Sequence, residues 1–212
     1  LQARSPSAVG ERIRVPTFIA QGQTDSLFPL GQADAMAQRI RANGAPVAVD
    51  WLSGGHDGGD LETDRITDRV MAWFDRYLKD DASAETGPAF HVSRTGGVDS
   101  TDGAARLRGA SADRYPGLTG HSRTVALPTA KAPRTFVNPP GGGPSAISAV
   151  PGLGGAAQLS GLGLGLSLDF PGQFARFDSA PLGRDLRITG SPSVTVHVTS
   201  STDDAVLFGK VY

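Results

Sequence analysis

A chain of 212 residues, 39% hydrophobic and 19% charged, is long enough to bury a core in one large domain or two small ones. Its formal net charge is -1 and it has no cluster of Lys and Arg, so it lacks the basic stripe that nucleic acid or an anionic membrane surface requires. With no cysteine it has no disulfide, no thiolate-bound metal and no thiol nucleophile, and it has no apolar run of the ~18 residues that span a bilayer. Chemistry on a small molecule or a peptide is the class left in favour. The opening Leu1-Gln2-Ala3-Arg4 is neither an initiator methionine nor a signal peptide and reads as a cut in a longer chain. Compartment and oligomeric state are open at this level.

Residues 15–21 are a β-branched and aromatic run that ends at Gly22-Gln23-Thr24-Asp25, which predicts a buried strand delivering Asp25 to its carboxyl end. Over 30–43 the apolar positions Ala33, Met36, Ala37 and Ile40 recur at i, i+3, i+4 and i+7, and Gly44 stands where a helix-ending glycine belongs. A second strand is predicted over 46–52, followed by the loop Ser53-Gly54-Gly55-His56-Asp57-Gly58-Gly59. A second helix is predicted over 64–79, with Ile66, Val70, Trp73, Phe74 and Tyr77 as its apolar stripe. Strand, helix, strand, helix with short connections is the pattern of a parallel sheet, whose functional residues sit on loops at the carboxyl ends of the strands. The expectation is an α/β domain over 1–86.

Past Asp80-Asp81-Ala82-Ser83 the pattern changes to short extended runs separated by Gly, Pro and Ser, which predicts an all-β domain over 87–212. Its clearest strands are 89–93, 123–127, 185–189, 193–200 and 205–212. In Val194-Thr195-Val196-His197-Val198-Thr199 the valines alternate with polar residues, as on a sheet with one buried face. Residues 138–172 are crowded with glycine and proline and read as a long loop, including the Gly-Leu alternation at 161–166. No helix start follows these glycines, so neither a dinucleotide fingerprint nor a phosphate loop is supported. No cofactor is implied.

Asp25 and His56 stand about thirty residues apart, the strand-helix-strand distance that places two adjacent loops over one edge of a parallel sheet. In α/β-hydrolases the order along the chain is nucleophile, acid, histidine, and these two residues match the last two places. A carboxylate bound to one imidazole nitrogen fixes the tautomer in which the other can take a serine proton, and it stabilises the imidazolium that results. The alternatives are a turn-forming Asp25 and a surface His56, or a metal held by His56, Asp57 and Asp60. Asp34 is placed on the exposed side of the first helix. His91, His121 and His197 have no partner pattern and are read as structural. The sequence holds no Gly-x-Ser-x-Gly, and Ser26 and Ser53 flank the acid and histidine loops without occupying a strand-to-helix elbow.

The stretch Val15-Pro16-Thr17-Phe18-Ile19-Ala20-Gln21-Gly22-Gln23-Thr24-Asp25, followed by Gly54-Gly55-His56-Asp57-Gly58, resembles the X-Pro dipeptidyl-peptidase and cocaine-esterase group of α/β-hydrolases. Phe177-Asp178-Ser179-Ala180-Pro181-Leu182 and Asp185-Leu186-Arg187-Ile188-Thr189-Gly190-Ser191-Pro192 look like the carboxyl-terminal jelly roll of that group. The resemblance implies Asp25 as the acid, His56 as the base and a serine lying before Leu1. It also implies cleavage of an ester or amide through an acyl-serine intermediate without a cofactor. The chain alone is then an inactive carboxyl-terminal fragment, with its jelly roll cut short. The rival is a binding or structural β-sandwich attached to a hydrolase relic.

Overall fold

The structure, a computed structural model, describes residues 5–25, 27–56, 61–98, 105–118, 120–127, 132–142, 169–184, 186 and 188–211, with the backbone alone at 94–98 and 105–107. Two short 3-10 turns, Pro6–Ala8 and Gly10–Arg12, lead into strand β1 (Thr17–Gly22) and helix α1 (Leu30–Ala42). Strand β2 (Val47–Leu52), helix α2 (Thr63–Leu78) and the strands β3 (Phe90–Val98) and β4 (Ala105–Ala112) follow. The four strands form one open sheet in the order β1-β2-β3-β4. β1 and β2 run parallel in the register Thr17↔Val47 to Gly22↔Leu52, β2 and β3 are also parallel, and β3 and β4 are antiparallel.

Side chains alternate across the pleat, so β1 and β2 each show two different faces. Ile19 and Val49 face α1 and pack with Ala33, Ala37, Phe90, Val92 and Tyr115 in the main core. The predicted α1 stripe therefore holds at Ala33, Ala37 and Ile40, all buried, with Met36 partly buried against them. Gly44 ends the helix at φ +82°, a left-handed conformation that costs a side-chain-bearing residue more than glycine. Asp34 is not simply a solvent carboxylate: the Tyr115 phenol donates to its Oδ1 at 2.5 Å and ties the segment after β4 to α1. Burial, then that bond to Asp34, raises the Tyr115 phenol well above its ordinary range.

The opposite face takes α2, whose inward side keeps Trp73 of the predicted apolar stripe and otherwise differs from it. Its buried residues are Arg69 and Trp73, while Phe74 and Tyr77 are 50% and 37% exposed. The reason lies on β2: Asp50, fully buried, needs cationic partners more than apolar ones. Glu62, Arg65, Arg69 and Trp73 stand at i, i+3, i+7 and i+11, one helix face, and that face turns to the sheet. Trp73 then reaches the Phe18 ring at a centroid distance of 5.9 Å, and the Arg69 guanidinium lies 4.9 Å from the centre of the same ring.

The all-β part expected from residue 87 begins differently. The strand foreseen over 89–93 exists within β3, but it adds to the α/β sheet beside β2, and β4 completes that sheet. Phe90 and Val92 are buried core residues there. Two compact units divide the chain, and the one carrying all four strands and both helices extends to Leu118. The described residues after Leu118 contain no strand and no helix. The strands expected over 123–127, 193–200 and 205–212 are thus not formed among them, and Val194, Val196 and Val198 are 60%, 53% and 54% exposed. Alternation makes a strand only where a neighbour pairs its backbone and a layer covers its apolar face, and among the described residues neither is present. Residues 138–142 and 169–172 are irregular, as expected, whereas the Gly-Leu alternation at 161–166 lies outside the described residues, as do positions 185 and 187 of the strand expected over 185–189. No helix among the described residues is long and apolar enough to cross a membrane.

Candidate functional site

Because β1 and β2 are parallel, the loops that follow them leave the same edge of the sheet. Asp25 comes three residues after β1 ends and His56 four residues after β2 ends. Their backbones are stitched together. Gln23 N–H donates to Leu52 O at 3.0 Å, while the Thr24 N–H and hydroxyl both donate to Gly54 O at 2.9 and 2.7 Å. The Gln23 side-chain amide spans further, donating to Trp51 O at 3.0 Å and to Ser93 O at 2.6 Å, so one residue joins the ends of β1 and β2 to the middle of β3. Two glycines make this approach possible. A Cβ on Gly22 would lie 2.8 Å from Gly54 O and 2.9 Å from Gly55 O, both backbone atoms, and Gly54 itself sits at φ +113°.

The result is a carboxylate facing an imidazole, with Asp25 Oδ2 and His56 Nδ1 3.5 Å apart. Asp25 is almost wholly buried and His56 is about one-third exposed. The other carboxylate oxygen, Oδ1, accepts the N–H groups of Leu27 and Phe28 at 2.9 and 2.8 Å. Oδ2 also accepts the Gln21 amide at 2.9 Å, and the same amide donates to Phe28 O at 3.1 Å. The Phe28 ring lies against the imidazole at a centroid distance of 5.3 Å. Burial alone would raise the Asp25 pKa, but the bonds from Phe28, Leu27 and Gln21, together with the charge on His56, outweigh it and hold the group below 3.8. The carboxylate is therefore ionised at neutral pH, its orientation set by three hydrogen-bond donors, from Gln21, Leu27 and Phe28, with Oδ2 facing the imidazole of His56.

Other residues singled out from the sequence stand elsewhere. Ser53 is buried and its hydroxyl has no hydrogen-bond partner among the described residues, His56 included. Ser26, Asp57 and Asp60 lie outside the described residues, and with the two aspartates goes the metal arrangement considered for His56. Among the described residues no group of three or more His, Asp or Glu is placed to hold a metal. His121 and His197 are exposed. His91 accepts or donates at Nδ1 to the Ser111 hydroxyl, 2.9 Å away, and its ring lies over Gly109, where a Cβ would meet Cε1 at 2.5 Å. Burial, opposed by the charge on Asp50, pushes the His91 pKa below 6.5.

The charge cluster under α2 had no sequence signal of its own. Arg65 grips Asp50 through two bonds, Nη1 to Oδ2 at 2.6 Å and Nη2 to Oδ1 at 2.9 Å, and its Nε donates to Glu62 Oε1 at 2.9 Å. Arg69 donates to Asp50 Oδ2 at 2.6 Å and to the carbonyls of Thr86 and Pro88 at 3.3 and 2.5 Å. Desolvation works against ionising Asp50, and the two guanidinia overcome it, leaving the pKa below 3.8. An Asp in a strand and two Arg in a helix would have been needed in known register to find this. No family model, curated protein or solved structure matches the chain.

Proposed function

We propose that the chain supplies the acid and the general base of a serine hydrolase of the α/β type, acting on an ester or an amide of a small molecule or peptide. The observation that carries this reading is the 3.5 Å approach of Asp25 Oδ2 to His56 Nδ1 on adjacent loops at the carboxyl edge of parallel strands. In this reading Nδ1–H points at Asp25, which leaves Nε2 to remove the proton of a serine hydroxyl as it attacks the acyl carbon. The same nitrogen then returns the proton to the leaving alkoxide or amine, and a water repeats the sequence to free the enzyme. Asp25 stays ionised throughout and stabilises the imidazolium formed in between.

The resemblance at residues 15–25 and 54–58 supports the X-Pro dipeptidyl-peptidase and cocaine-esterase group as the source of the chemistry. The serine and the oxyanion donors are proposed to come from sequence preceding this chain, since no Gly-x-Ser-x-Gly is present. Residues after Leu118 are inferred to belong to a β-sandwich of jelly-roll type that is completed in the larger protein, which the valine alternation at 194–198 favours.

The test is hydrolysis of an activated ester and of an X-Pro amide by this chain, by a protein extended upstream through a serine elbow, and by that longer protein carrying His56→Ala. The chain alone should be inactive, and the longer protein active with turnover reduced by about 10⁶ in His56→Ala, as for removal of a triad base. Activity in the chain alone that His56→Ala abolishes would place the nucleophile within these residues. An inactive longer protein with an intact elbow would favour a binding module built on a hydrolase relic.

A further inference from the structure

The loop carrying His56 leaves β2 at Ser53 and rejoins regular structure at Glu62, the residue that caps α2. These two ends meet. Ser53 N–H donates to Glu62 Oε2 at 3.4 Å, both residues being buried, so a single carboxylate spans the base of the loop. Its other oxygen, Oε1, accepts from Arg65 Nε at 2.9 Å. Arg65 is in turn fixed by its two-bond grip on Asp50, whose side chain is fully buried on β2, between two neighbouring strands. The Arg65 Nη2 group also lies 3.5 Å from the Ser93 hydroxyl on β3.

From these contacts we propose that Asp50, Arg65 and Glu62 form a clamp on the Ser53 backbone at the base of the histidine loop, and that Arg65 and Glu62 are positioning residues for His56. The geometry gives each member a distinct task. Asp50 is a fixed point in the sheet, and a planar guanidinium with five N–H donors is the side chain able to bind both oxygens of one carboxylate while offering a further donor to a second. Glu62 converts that fixed direction into a restraint on the Ser53 backbone, three residues before His56. Thr24 restrains the next residue of the loop from the acid side, through Gly54 O. The imidazole is thereby located from both directions: the Asp25 loop sets one wall and the clamp sets the base.

The inference rests on His56 acting as the base, yet its test does not require turnover. The tautomer of a neutral histidine is set by the partner of its other nitrogen, and ¹⁵N NMR of the full chain labelled at histidine reports it directly. Glu62→Gln keeps an acceptor for Ser53 N–H at the same reach and should leave the Nδ1–H tautomer of His56 in its original proportion. Glu62→Asp withdraws the acceptor by one methylene, and Arg65→Lys cannot serve Asp50 and Glu62 together; each should lower the ratio of Nδ1–H to Nε2–H tautomer by about twofold or more. A ratio unchanged in both Glu62→Asp and Arg65→Lys would overturn the clamp, as would an original protein in which His56 shows no Nδ1–H preference. A ratio that responds as stated beside an extended protein without hydrolase activity would sink the hydrolase reading and leave the clamp standing.

Discussion

The residues up to Leu118 and those after it both carry Val, Leu and Phe, and these behave oppositely. In the first region Ile40 and Val49 are almost completely buried, and even a carboxylate, Asp50, is fully removed from solvent. Among the described residues after Leu118 none is buried, with Val206 82% exposed and Phe208 64% exposed. The presence of apolar residues does not separate the regions, because Val, Leu and Phe occur in both. The difference lies in partners: β1 and β2 share six register pairs and a helix on each face, whereas the valines of 194–198 have no paired strand among the described residues. Apolar periodicity is an offer of a face, and burial follows only when a second layer accepts it.

Substitutions sharpen that contrast. Asp50→Ala should cost most, about 3–5 kcal/mol in chemical denaturation, because it strands two guanidinia that were paired under α2. Phe90→Ala removes a ring packed edge-on against Trp51 and Tyr115, at centroid distances of 6.0 and 5.0 Å, and should cost about 3 kcal/mol in the same measurement. An effect of Phe90→Ala below about 1 kcal/mol would show that β3 is not part of the core.

Acid should act on the first region too, and the signs are definite. His91 has its pKa depressed by burial, so the unfolded chain binds a proton first and stability begins to fall as pH drops through 6.5. Asp25 and Asp50 have theirs depressed below 3.8, so the stability they contribute is complete above that value and is lost as pH falls through their lower folded values. A denaturation midpoint followed by tryptophan fluorescence should therefore decline from pH 7 downward, steeply below pH 4. A midpoint that is flat across this range would contradict the buried charge cluster. The smallest effect belongs to the second region: Phe208→Ala should change stability by less than about 0.5 kcal/mol, although it is the same chemical change as Phe90→Ala.

How much of this was readable in advance depends on whether a signal was local. Helix α1 was legible because its aliphatic positions recur on one face and Gly44 marks its end. Asp25 and His56 were legible because each closes a strand at a glycine-containing turn, and the structure places them together. The inner face of α2 was not, since charged residues at 62, 65 and 69 look like a solvent face until the strand beneath is known to carry Asp50. The extent of the sheet was also hidden: whether residues 90–98 join β2 or open a new sheet is a long-range choice that no short window contains. The alternation at 194–198 suggested a strand for the complementary reason, that pattern alone carries no information about a partner.

In the proposed reaction Asp25 holds the imidazole for proton transfer, and the most direct measurement is turnover of the upstream-extended protein carrying Asp25→Asn, followed with an activated ester. The amide preserves shape and burial but presents an N–H where Oδ2 or Oδ1 now accepts, so the wrong histidine tautomer is favoured. A fall in kcat of about 10⁴ with little change in KM is the predicted result, and a kcat within about tenfold of the original would contradict the central claim.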